Sequence, residues 1–118
     1  MEHAYQAAKA TSLVPAMEIR ALATPGEAKR YGRKPTDIRA DWEEVKVSVM
    51  FDLVFRKFLV DGELRELLLG TDRRRLVEGN FWHDNFWGDC CCMKRPGCRD
   101  EGKNVLGGIL MLVRGVLA

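Results

Sequence analysis

The chain has 118 residues, 47% of them apolar and 31% charged, with a formal net charge of +2. That length suits one domain, 1–118, around one hydrophobic core, and the composition excludes intrinsic disorder. The small net charge excludes nucleic-acid affinity built on bulk electrostatics, and no apolar run approaches the roughly 18 residues that a bilayer-spanning helix needs.

The apolar stretch 105–118 carries Arg114 and three glycines, which rules it out as a membrane segment. The opening residues Glu2, His3, Tyr5 and Gln6 do not read as a signal peptide, so a cytoplasmic location is expected. In chain order, residues 2–11 are alanine-rich with good helix formers and predict a helix. Pro15 suits a first helical turn, and Met17, Ile19, Leu22 and Ala23 give it an apolar side. Thr24-Pro25-Gly26 breaks that run and a short helix over 27–31 follows, stopped by Gly32 and Pro35.

The clearest helix is predicted over 37–60, where Trp42, Val45, Val49, Phe51, Leu53, Phe55 and Leu59 recur at three- to four-residue spacing. Asp61-Gly62 ends it, a short helix over 63–69 stops at Gly70, and Leu76-Val77 is a candidate for a brief extended piece. Residues 79–103 hold glycines, asparagines, a proline and all four cysteines, and read as one long irregular stretch. A final helix over about 104–117 starts at Asn104, a favourable N-cap residue, and turns Leu106, Ile109, Leu110, Val113 and Leu117 inward. The expected fold is mainly α, a compact multihelical single domain with little or no strand.

Three segments carry candidate chemistry. Glu2, Gln6 and Lys9 share one helical face, either as a solvated stripe or as a carboxylate and an amine turned to a ligand. In Asp84-Asn85-Phe86-Trp87-Gly88, an acid beside an indole suits a developing positive charge at an anomeric carbon. The bland alternative is a core tryptophan with a turn-forming aspartate. Gly102, Asn104 and Gly107 open the last helix, either as an anion site of free N–H groups or as ordinary capping and close packing.

Lys29, Arg30, Arg33 and Lys34 border a glycine–proline loop within reach of phosphates, whereas Arg73-Arg74-Arg75 reads as solvated surface. Cys90, Cys91, Cys92 and Cys98 sit in one loop, which argues against a disulfide framework. A zinc site of three of them with His83 lacks the C-x2-C spacing, and adjacent cysteines seldom converge on one ion. Reduced loop thiols are therefore expected, with no metal and no cofactor.

These segments, in this order, resemble the NADAR family of YbiA-like proteins. The resemblance runs through Glu2-His3-x-Tyr5-Gln6-Ala7-x-Lys9, Ala28-Lys29-x-x-Gly32-Arg33 and Arg39-x-Asp41-Trp42. It continues through Leu76-Val77-Glu78, Asp84-x-x-Trp87-Gly88, Asn104-x-Leu106-Gly107 and Leu110-Met111-x-Val113-Arg114, nearly the whole chain. It implies a mainly helical fold and hydrolysis of an N-glycosidic bond to a phosphorylated ribose. The expected substrates are phosphoribosylamino-pyrimidine intermediates of riboflavin synthesis and ADP-ribosylated guanine.

By resemblance, Glu2, Lys9, Asp84, Trp87 and Asn104 match pocket positions, and Glu2 matches an essential acid. Glu2 and Asp84 would oppose the oxocarbenium-like charge and activate water, with attack by Lys9 through a transient imine as the other route. Gln6, Trp42, Gly88 and Gly107 would line the substrate site. Lys29, Arg33 and the Asn104 turn would hold phosphates, and Trp87 would stack on a base or pack against the ribose. The family normally carries some tens of residues before the Glu-His motif, so a domain short at its N-terminus is expected. The rival function is a non-catalytic ADP-ribose or nucleotide-binding module. Expected partners are a small phosphoribosyl or ADP-ribosyl substrate and ADP-ribosylated nucleic acid, with no membrane and no readable oligomeric state.

Overall fold

The computed structural model describes residues 1–9, 20, 21, 23–31 and 38–118. Among these, the elements are α1 (Glu2–Ala8), α2 (Pro25–Tyr31), α3 (Trp42–Val60), α4 (Gly62–Leu69), β1 (Gly79–Asn80), β2 (Asp89–Cys90), a 3-10 turn (Pro96–Cys98) and α5 (Val105–Leu117). The fold is mainly α, as expected, with two-residue strands as its only sheet among the described residues. The chain divides into two units, Met1–Leu53 and Val54–Ala118. No described helix is long and apolar enough to cross a membrane. Pro15, Met17, Ile19, Leu22, Gly32, Arg33, Lys34 and Pro35 lie outside the described residues.

In the first unit α1 packs against α2, and the small residues Ala7 and Ala28 are buried. The second helix starts at Pro25, two residues before its expected start. Thr24 is the reason: its Oγ1 accepts from the Glu27 N–H at 3.2 Å while Glu27 Oε2 accepts from the Thr24 N–H at 3.1 Å. This reciprocal capping box satisfies two amides at once and leaves Pro25 at the first helical position, where its missing N–H costs nothing. Helix α3 starts at Trp42 instead of 37: the Arg39 N–H donates to the Lys9 carbonyl at 2.7 Å and so is not part of a helical ladder. Asp41 then supplies the carbonyl that accepts from Glu44 and Val45.

Along α3 the buried residues are Trp42, Met50 and Val54; of the expected apolar face only Trp42 is fully buried, Val45, Val49, Phe51, Leu53 and Phe55 are half-buried, and Leu59 is exposed. Asp61 both ends α3 and starts α4, its Oδ1 accepting from the Leu64 N–H at 3.1 Å. Gly62 therefore belongs to α4 and is not a terminator.

In the second unit α4 packs against α5, and Leu68, Ile109 and Val113 are buried. The expected extended piece at Leu76-Val77 is not a strand; β1 lies just beyond it and pairs in parallel with β2, Gly79 opposite Asp89 and Asn80 opposite Cys90. The backbone of 85–88 also accepts the amides that open α5, from Lys103 to Asn85, Val105 to Phe86, Leu106 to Trp87 and Asn104 to Gly88. Arg114 closes the far end of α5, donating to Thr71 Oγ1 at 2.9 Å and the Arg74 carbonyl at 2.8 Å.

Asn104 sits at the N-cap position in the left-handed region, φ 53°, and makes no cap bond. Its amide instead donates to the Leu76 carbonyl at 2.8 Å and accepts from the Glu78 N–H at 2.9 Å. The expected capping role is thus replaced by a longer-range one, which asparagine permits because it tolerates positive φ. Replacing Asn104 by alanine leaves two backbone groups unpaired, at about 1–3 kcal/mol each, measured as lost unfolding free energy in urea. Gly107→Ala drives a methyl into the Leu76 carbonyl and the Asn104 amide, and destabilises by about 1–3 kcal/mol in the same assay.

Arg39 and Asp41 form a bidentate pair, Nε to Oδ1 at 2.5 Å and Nη2 to Oδ2 at 2.8 Å. The Arg39 hydrogen bonds hold the Asp41 carboxyl below the ordinary carboxylate range. Its stabilisation is complete above the unfolded-state value and is lost as pH falls through the lowered folded value. The melting temperatures of wild type and Asp41→Asn therefore differ at neutral pH and converge in acid.

Candidate active site

In the first unit the polar row on α1 is a single hydrogen-bonded chain. Glu2 Oε1 accepts from Gln6 Nε2 at 2.6 Å, and Gln6 Oε1 accepts from Lys9 Nζ at 3.1 Å. Gln6 is only 3% exposed, so its amide is fixed at both ends and cannot rotate without losing a buried bond. Lys9 Nζ also lies 5.9 Å from the ring centroids of both Tyr5 and Trp42, which meet edge to face at 5.1 Å. The structure thus brings Glu2, Gln6, Lys9 and Trp42 together, the first three by helical spacing and Trp42 through the start of α3.

The burial of Gln6 and the two rings around Lys9 were not readable from the spacing. The motif Arg39-x-Asp41-Trp42 carried the signal for the second wall: the Arg39 amide bonds the Lys9 carbonyl and so ties Trp42 to the end of α1. Lys29 lies partly buried in the last turn of α2, and Arg33 is outside the described residues.

The opposite side of α1 faces a different space. Ala4, Ala7 and Ala8 line a mostly apolar cleft of about 510 Å³ with Val45, Val49 and Leu53 of α3, and Arg20, Ser48 and Asp52 complete it. None of the polar row lines this cleft, because residues 4, 7 and 8 point about half a helical turn away from 2, 6 and 9. Size favours the cleft as a binding place, whereas the chemically competent groups favour the polar row; bond-breaking chemistry needs the latter.

In the second unit Asp84, Trp87, Gly88, Asn104 and Gly107 are held by one backbone network. Asp84 Oδ1 accepts from the Phe86 N–H at 3.1 Å and the Trp87 N–H at 2.9 Å, so this oxygen makes a turn. Asn80, 1% exposed, holds the turn from the other side, bonding the Asp84 carbonyl and N–H. The Trp87 indole is partly buried and packs edge to face with Phe86 at 4.8 Å.

The expected anion site at the start of α5 is not formed by free amides: those of Lys103 through Leu106 all donate to backbone carbonyls. Gly88 and Gly107 answer to close backbone approach, since a Cβ at Gly88 would strike the Glu78 carbonyl and one at Gly107 the Leu76 carbonyl.

The cysteine loop departs most from expectation. Extended backbone alternates its side chains, so Cys90 and Cys92 turn to one side and Cys91 to the other, into solvent. Cys98 and His83 come to the same point, and the four ligand atoms lie within 4.8 Å of one another. The Cys92 thiol is lowered to about 6, first by the Lys94 backbone N–H at 3.4 Å. Burial pushes the Cys98 thiol up to about 11.

Comparison with known proteins fits this description. The N-glycosidase Npun_R5314 of Nostoc punctiforme is 42% identical over 120 residues, covering 97% of this chain and 70% of that protein. The N-glycosidase YbiA of Escherichia coli is 40% identical over 118 residues, covering 99% of this chain and 69% of its own length. The chloroplastic riboflavin biosynthesis protein PYRR of Arabidopsis thaliana is 39% identical over 102 residues, which is 82% of this chain and 16% of that protein. The NMR structure of E. coli YbiA superposes with a TM-score of 0.83 at 39% identity, covering 98% of this chain; the chain spans 65% of that structure. A family model described as the NADAR domain matches residues 1–118. With fold, motif order and the full-length match in agreement, the chain belongs to the NADAR family.

Proposed function

We propose that this chain hydrolyses the C–N bond between a phosphorylated ribose and a base or aminopyrimidine. The observation that carries this reading is the chain Glu2–Gln6–Lys9, an acid and an amine held by one buried amide beside the rings of Tyr5 and Trp42. Its relatives are named N-glycosidases and a riboflavin biosynthesis protein, which supports an aminopyrimidine ribotide as the substrate class. ADP-ribose on guanine presents the same anomeric bond and is the second substrate to test. Four cysteines clustered in one loop without a disulfide fit a reducing compartment such as the cytoplasm.

N-glycosidic cleavage builds positive charge on the ribose ring as the base leaves. A carboxylate fixed near the anomeric carbon opposes that charge and takes a proton from the attacking water. In this reading Glu2 is that carboxylate, and Gln6 holds one of its oxygens so that the other faces substrate. Lys9, whose Nζ is fixed by Gln6 and flanked by two rings, either holds the phosphoribosyl group as a cation or attacks the anomeric carbon. Trp42 packs against the sugar. Lys29 and Arg33 are the proposed phosphate ligands. Asp84, with one oxygen holding its turn, enters as the residue that fixes Trp87 for stacking on the base, while Gly88, Asn104 and Gly107 keep the supporting backbone close.

The test is release of ribose phosphate from an aminopyrimidine ribotide and of ADP-ribose from modified guanine. Glu2→Gln and Lys9→Met should each lower kcat/KM by about 10²–10³-fold, with the fold retained by circular dichroism. Equal rates for wild type and Glu2→Gln would remove Glu2 from the chemistry, and binding without turnover in both would mark a nucleotide-binding module. Borohydride added during turnover separates the two routes. A ribosyl adduct on Lys9 with loss of activity marks the imine, and unchanged activity marks direct attack by water.

A further inference from the structure

We propose that His83, Cys90, Cys92 and Cys98 form a structural zinc site that staples the loop between β1 and α5. The four ligand atoms already converge on one point. His83 Nδ1 is 3.3 Å from Cys92 Sγ, 3.4 Å from Cys98 Sγ and 3.8 Å from Cys90 Sγ. With Zn–S of about 2.3 Å and Zn–N of about 2.0–2.1 Å, a tetrahedral ion sets sulfur and nitrogen about 3.5 Å apart and sulfurs about 3.8 Å apart. All four ligand atoms fall within 4.8 Å of one another, so binding requires only a small inward closure.

Three thiolates and one imidazole are a soft, four-coordinate donor set, which selects zinc over the hard cations and leaves no open position for chemistry. The surroundings are also those of coordinated thiolates. The Lys94 N–H donates to Cys92 Sγ at 3.4 Å, and the Asn85 amide donates to Cys98 Sγ at 3.4 Å while its oxygen accepts from the Cys90 N–H at 2.9 Å. Such outer hydrogen bonds orient sulfur ligands and offset their charge. His83 adopts φ 69° and Met93 φ 59°, left-handed conformations uncommon outside glycine, though histidine visits them more readily than most. Both serve the cluster: the first turns the imidazole toward the sulfurs, and the second reverses the chain between Cys92 and Cys98.

The consequence is mechanical. Residues 81–104 have only the two-residue strand β2 and one 3-10 turn to order them, yet they carry the turn of Asp84 to Gly88 on which α5 is hung. An ion joining position 83 to positions 90, 92 and 98 encloses that turn and removes much of its freedom in the unfolded chain.

The test uses the whole chain, expressed with zinc in the medium and purified without chelator. Elemental analysis should give one zinc per chain. Cobalt exchanged into the protein should give the intense visible bands of tetrahedral coordination with thiolate charge transfer. The loaded protein should expose Cys91 alone to a thiol reagent, and a strong chelator should release the metal, expose all four thiols and lower Tm by about 4–8 °C or more. Cys92→Ser and Cys98→Ser should lose the metal, whereas Cys91→Ser should keep it. A metal-free wild type, an octahedral cobalt spectrum, or equal metal loss from Cys91→Ser and Cys98→Ser would overturn the proposal. The spectrum and thiol count are read on wild type, so a variant that fails to fold does not decide the matter.

Discussion

An irregular backbone segment must still satisfy its polar groups, and in the second unit buried and half-buried side chains do so, Asn104 first among them. The Asn104 amide takes the Leu76 carbonyl and the Glu78 N–H, both far from it in sequence, and it is itself buried. Fixing 76–78 places β1, and β1 in turn accepts β2 through Gly79 and Asn80. The amides that open α5 then find their acceptors in 85–88. The order of these contacts explains why Gly88 and Gly107 have no side chains. The backbones they separate are too close for a Cβ. A glycine at a helix start is often an opening for phosphate; here it is a packing surface.

The first unit repeats the logic on a smaller scale. Gln6 is a buried amide with an acid on one side and an amine on the other. Its burial converts what would be a pair of mobile surface side chains into a fixed arrangement, since either one moving leaves a buried group unpaired. The rings of Tyr5 and Trp42 then place Lys9 in surroundings that favour a cation. Preorganisation of this kind is what a hydrolytic site needs, because groups already aimed at the developing charge need no reorganisation during reaction.

The cysteine cluster and the Glu2–Lys9 row are independent features of the chain. One concerns the order of the loop of 81–104 and is read by metal content, and the other concerns Glu2 and Lys9 and is read by turnover. Belonging to the NADAR family bears on the second alone. The cysteine cluster rests on distances within this chain.

Much was legible in the sequence. Periodicity located α3 and α5, and the spacing of Glu2, Gln6 and Lys9 put them on one face before any contact was known. The motif order identified the family. The capping box at Thr24 and Glu27 was also written in the chain, though Pro25 reads equally well as a breaker.

Other features were decided by partners distant in sequence. Whether Asn104 caps its own helix or bonds Leu76 and Glu78 depends on where 76–78 lies, which no local pattern encodes. Whether Cys90, Cys92 and Cys98 disperse or converge depends on extended backbone after β2 and on His83 in a left-handed turn. The sequence by itself determined the helices, the family and the polar face of α1, because those follow from spacing along one element. Only the tertiary structure decided what the glycines, Asn104, Asp84 and the thiols do, because each role is set by a backbone or side chain brought in from elsewhere.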